Sequence, residues 1–76
     1  MTYDTSNLAA LIRELDPDNQ VDSDMLGHRI GLRLDRGSQL TKDMSGYVGR
    51  VNAGKTLTAE RLAELLADRF DLEREN

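Results

Sequence analysis

The chain has 76 residues, no cysteine and a formal net charge of −4, from 10 Lys and Arg against 14 Asp and Glu. Without cysteine it makes no disulfide and holds no metal through thiolates, and no apolar run approaches the roughly 18–20 residues needed to span a bilayer. At 38% apolar and 32% charged, it suits one small globular domain rather than a disordered segment. A chain this short buries only about 60% of its unfolded surface, so modest stability is expected. Its first residues, Met-Thr-Tyr-Asp, lack the basic and apolar regions of a signal peptide. A first residue of Met suits a complete small protein, and the lack of cysteine suits a reducing cytoplasm, so both are expected.

Residues 5–15 read as a helix. Leu8, Leu11, Ile12 and Leu15 recur at the spacing of a single apolar stripe. Thr5 or Ser6 can cap its start, and Asp16-Pro17 closes it. Arg13 and Glu14 fall off the stripe. The next residues hold Asp16, Asp18, Asp22 and Asp24. A calcium loop of the EF-hand kind needs a glycine at its sixth position and a glutamate at its twelfth. Val21 and Gly27 stand there instead, so these acids read as a solvated loop.

Residues 23–36 admit two readings. As a helix, Leu26, Ile30 and Leu34 line one face. Gly27 and Gly31, four apart, would let a neighbouring helix come close. As a strand, Ile30, Leu32 and Leu34 alternate with Gly31, Arg33 and Asp35. Helix is favoured, because the chain offers no partner strand. His28, the only histidine, has no second histidine or cysteine to share a metal and reads as a structural or surface residue.

Residues 43–53 read as a third helix, with Met44, Val48 and Val51 on one face. Gly54 is placed where a helix ends in the left-handed conformation. The face carrying Ser45, Gly49 and Asn52 is nearly flat. Either DNA or another helix could approach it. Residues 58–70 form the fourth helix, with a stripe of Leu62, Leu65, Leu66 and Phe70. Thr58 suits its N-cap, and Leu57 with Leu62 suits a hydrophobic staple. The tail, residues 71–76, is expected to fray.

The segment from Gly49 to Thr56 fits the phosphate-loop pattern G-x-x-x-x-G-K-[ST]. Such a loop must follow a buried strand and open a helix. Here a helical pattern precedes it, and the chain is too short beyond it for the remaining strands of a parallel sheet. Nucleotide binding is therefore not expected. No nucleophile–base pair or metal set is visible, so neither an enzyme nor a cofactor or metal protein is expected.

Charge is unevenly placed. Residues 1–27 carry one Arg against six acids, and residues 56–76 carry three Arg against six acids. Residues 28–55 carry Arg29, Arg33, Arg36, Lys42, Arg50 and Lys55 against only Asp35 and Asp43. Affinity for phosphate follows the local field, not the whole-chain sum.

Val48, Val51, Gly54, Lys55, Leu62, Leu65 and Leu66 stand in an order that resembles the lambda-repressor/Cro-like helix-turn-helix family, over residues 41–67. Asn52 stands where that family commonly has an acid. The resemblance implies an all-α bundle of about four helices containing a helix-turn-helix. It also implies a small, sequence-specific DNA-binding transcriptional regulator of phage or plasmid type, without chemistry of its own. The helix over 43–53 would enter the major groove. Ser45, Gly46, Gly49, Arg50 and Asn52 would be its exposed positions, with Arg50 on guanine and Asn52 on adenine. Lys42, Lys55, Arg33 and Arg36 would neutralise phosphates. The expected partners are double-stranded DNA and a second copy of the chain. The alternative is an acidic helical adaptor that binds another protein and no nucleic acid.

Overall fold

Two leucine stripes at helical spacing, one near each end of the chain, form the helices their period demands. The computed structural model describes residues 5–70, and the tail at 71–76 lies outside them. It contains α1 (Ser6–Leu15), α2 (Ser23–Leu34), α3 (Ser38–Val51) and α4 (Ala59–Arg69). The architecture is all-α, and no strand forms among the described residues. The alternation at Ile30, Leu32 and Leu34 therefore marks a helix that is buried on one side, with Ile30 inside and Leu32 outside.

The core draws on all four helices. Ala9 and Ile12 of α1 meet Leu62, Ala63, Leu66 and Ala67 of α4, with Leu26 and Ile30 of α2 and Met44 and Val48 of α3. Each fully buried aliphatic side chain here stabilises the fold by about 1.5–3 kcal/mol. Thr58 caps α4, its hydroxyl accepting a hydrogen bond from the Arg61 amide at 3.0 Å. Asp16 follows α1 as its C-cap, its amide donating to the Ile12 carbonyl.

The α2–α3 pair packs differently, through glycine. A Cβ on Gly27 would overlap the Met44 carbonyl and lie 2.9 Å from the Ser45 Cα. A Cβ on Gly31 would lie 2.7 Å from the Thr41 Cα. At the far end, a Cβ on Gly49 would meet the Asp24 Cβ at 3.3 Å. The pairs Gly31–Thr41, Gly27–Ser45 and Asp24–Gly49 run in opposite directions along the two helices. The helices are thus antiparallel and in contact along their lengths.

Three boundaries differ from the sequence reading by two residues or more. Helix α3 begins at Ser38 rather than Asp43 and ends at Val51 rather than Ala53. Its first turn forms because the Gly37 carbonyl accepts from both the amide and the hydroxyl of Thr41. Gln39 also bonds Asp43 across one turn at 3.0 Å. Gly37 itself sits at φ 104°, open to glycine at little cost. Helix α2 stops at Leu34, and Asp35 at φ 55° takes the left-handed position there. After α3 the left-handed residue is Lys55 at φ 57°, not Gly54.

Candidate nucleic-acid interface

Helix α3 has two polar sides, and the fold uses them differently. Its apolar residues Met44 and Val48 are fully buried. That orients Thr41, Ser45 and Gly49 toward α2. The Ser45 hydroxyl donates to the Asp24 carbonyl at 2.8 Å, and Gly49 lies against the Asp24 side chain. The flat face over Ser45 and Gly49 therefore meets a helix of the same chain.

Asn52 is the clearest departure. It is 2% exposed, not a surface residue free to reach a base edge. Its Oδ1 accepts from the Leu57 amide at 3.1 Å, and its carbonyl accepts from the Ser23 hydroxyl. It ends α3, shapes the turn into α4 and ties that turn to the start of α2. A buried amide that satisfies backbone groups in this way is a structural part.

Lys55 is likewise committed to the fold. Its ammonium donates to Asp16 Oδ2 at 2.7 Å and to the Val21 carbonyl. Asp16 is 8% exposed. Burial pushes its carboxyl pKa up. The Lys55 hydrogen bond and the amides of Val21 and Gln20 more than offset that and hold it below its ordinary 3.8. The Asn19 side chain donates to the Lys55 carbonyl at 2.9 Å, closing the same junction. These contacts also dispose of the phosphate-loop pattern: Gly49 lies inside a helix, and the lysine is spent on an internal carboxylate. Asp16 meanwhile turns inward, away from the other acids of the 16–24 loop.

The outer side of α3 carries Lys42, Gly46 and Arg50 at steps of four, all exposed. Gly46 has open space over it; the nearest atom to an added Cβ is Arg50 Nη1, at 3.6 Å. The end of α4 brings up a third cation, Arg69. Its guanidinium carbon lies 5.8 Å from the Tyr47 ring centre and 5.9 Å from that of Phe70. The two rings meet edge to face, 5.6 Å apart, so they give the guanidinium a fixed seat. Lys42, Asp43, Gly46, Tyr47, Arg50, Arg69 and Phe70 line one shallow recess. Among the described residues, no carboxylate lies within ion-pair distance of Lys42, Arg50 or Arg69. Asp43, the acid on this side, is engaged by Gln39.

The remaining expected phosphate contacts lie elsewhere. Arg33 pairs with Glu14 of α1 at 3.3 Å. Arg36 is exposed in the turn between α2 and α3. Of the nine residues expected at the site, Lys42, Gly46 and Arg50 are brought together. Arg69 was missed, since no local spacing places the end of α4 beside the middle of α3. No helix among the described residues is long and apolar enough to cross a membrane. No family model, curated protein or solved structure matches this chain.

Proposed function

We propose that this chain is a small DNA-binding transcriptional regulator, with the outer side of α3 as its contact surface. The observation that carries this reading is the grouping of Lys42, Arg50 and Arg69, none paired with a carboxylate among the described residues and with Asp43 the one acid in the same recess, around the bare backbone at Gly46. Three such cations on an otherwise acidic molecule make a local field that attracts phosphate. Gly46 lets a sugar–phosphate strand or base edge approach the helix backbone. Arg50, midway along this surface, is suited to the two acceptors of guanine in the major groove. Lys42 and Arg69 flank it and suit phosphates, which set register rather than sequence. The contact set differs from the one read from the sequence: Ser45, Gly49, Asn52 and Lys55 support the surface from behind. Binding as a dimer on two half-sites belongs to the same proposal.

Fluorescence anisotropy with a labelled duplex, repeated over a range of salt, tests it. The two phosphates neutralised by Lys42 and Arg69 give a slope of log K against log salt of about −1.8. Lys42→Ala should reduce that slope by about 1, and Arg50→Ala should weaken binding by about 1–3 kcal/mol at a guanine-bearing site and leave the fold intact. A flat salt response, or unchanged binding by Arg50→Ala, would refute the assignment. A second reading, as a protein-binding adaptor, draws on a separate surface: the exposed Met25 and Leu32 of α2.

A further inference from the structure

Helix α2 buries Leu26, Ile30 and its two glycines and turns a different stripe outward. Met25 is 46% exposed and Leu32 58% exposed; they are the large apolar side chains left most open in the described fold. They stand seven residues apart, so they lie on the same side, about 10.5 Å from one another along the helix. His28 and Arg29 fill the turn between them, and Arg36 follows just beyond. Neither Arg29 nor Arg36 has an ion-pair partner among the described residues. Asp24, the acid within this helix, has its Cβ beside Gly49 of α3, and its carboxylate accepts from the Met25 amide at 2.9 Å.

We infer that this stripe docks an acidic amphipathic segment of a partner protein. Such a segment would seat apolar side chains against Met25 and Leu32 and set carboxylates against Arg29 and Arg36. The pattern of two anchors at i and i+7 matches how helices are recognised through one face. Charge decides the occupant. A second copy meeting this face through a two-fold axis, with Met25 on its Leu32, would bring its own Arg29 beside Arg29, which costs energy. A partner with carboxylates at its rim gains from the same groups. This inference does not depend on the DNA reading, which uses the other helix of the pair.

The test uses the full chain and two synthetic helical peptides of about 14 residues, four turns long. One carries Leu at positions seven apart with Glu around them; the other has Lys for every Glu. The acidic peptide should shift the NMR amide signals of Met25, Arg29 and Leu32, and the basic peptide should not. Leu32→Ser and Arg29→Glu should each weaken the acidic peptide about tenfold. Arg50→Ala should leave it unchanged. Both changed side chains are exposed, and a circular dichroism melt checks each fold independently. Equal binding of the two peptides, or shifts centred on Lys42 and Arg50, would overturn the inference. So would phosphatidylserine vesicles shifting the α2 signals where the acidic peptide does not, or a dimer in sedimentation that Leu32→Ser dissociates.

Discussion

On the side of α3 that faces α2, backbone meets backbone: Gly27 and Gly31 lie under Met44, Ser45 and Thr41 with no room for a methyl group. On the opposite side, Gly46 has open space above it and only the end of Arg50 nearby. Both glycines of α2 weaken its helix and regain that loss in close packing. Gly46 weakens α3 by a comparable amount, and among the described residues no close packing offsets it. One helix pair thus separates two uses of the same residue, one internal and complete, the other pointing outside the molecule. The proposed DNA surface rests on this contrast.

Three substitutions probe it, from the largest expected effect to the smallest. Gly27→Ala should destabilise the protein by about 3 kcal/mol, the upper end for overpacking, because the obstacle is a backbone carbonyl rather than a movable side chain. A domain of this size has only about 4–11 kcal/mol in all. Urea denaturation measures the loss, and a change below about 0.5 kcal/mol would mean that the helices can separate freely.

The Asp16–Lys55 junction should show in the pH dependence of stability. The folded pKa of Asp16 is lowered, so its contribution is fully present above the unfolded value of 3.8. It is lost as pH falls below that value and through the folded one. Asp16→Ala leaves the Lys55 ammonium part-buried and should cost about 2–3 kcal/mol near neutral pH. The difference from the parent protein should shrink on acidification. A constant difference between pH 6 and pH 2, followed by urea midpoints, would contradict the junction.

Gly46→Ala should move stability the other way, gaining about 0.5–1 kcal/mol from helix preference alone. In the DNA reading it should also weaken duplex binding, since the added methyl stands where the strand approaches. A thermal melt paired with anisotropy separates the two effects. Gain in stability with unchanged binding would leave Gly46 without a role at the interface.

Much of the fold was legible before the structure. The stripes Leu8–Leu15 and Leu62–Phe70, with cap residues at Thr5 or Ser6 and at Thr58, bound α1 and α4 to within a residue at each end, because large aliphatics at a fixed period leave one buried side and a hydroxyl suits the first turn. The Gly27/Gly31 spacing also anticipated the close helix contact. The start of α3 was hidden, since Ser38 to Lys42 are mostly polar and their helical turn is held by the Gly37 carbonyl and by Gln39–Asp43. The site was less legible. Period places Ser45, Gly49 and Asn52 on a common side of α3 but does not say whether water, DNA or a helix meets it. The internal pairing of Lys55 was not visible because its partner, Asp16, lies 39 positions away. Arg69 was missed for the same reason. Ion pairs and cation–ring contacts between distant segments leave no periodic trace.

The most direct measurement is an NMR titration of the labelled protein with a random-sequence duplex at low salt. The account predicts that the largest shifts fall on Lys42, Gly46, Arg50 and Arg69, fade as salt is raised, and spare Arg29 and Leu32. Shifts centred on α2, or on the Asp16–Lys55 junction, or none at any residue, would contradict it.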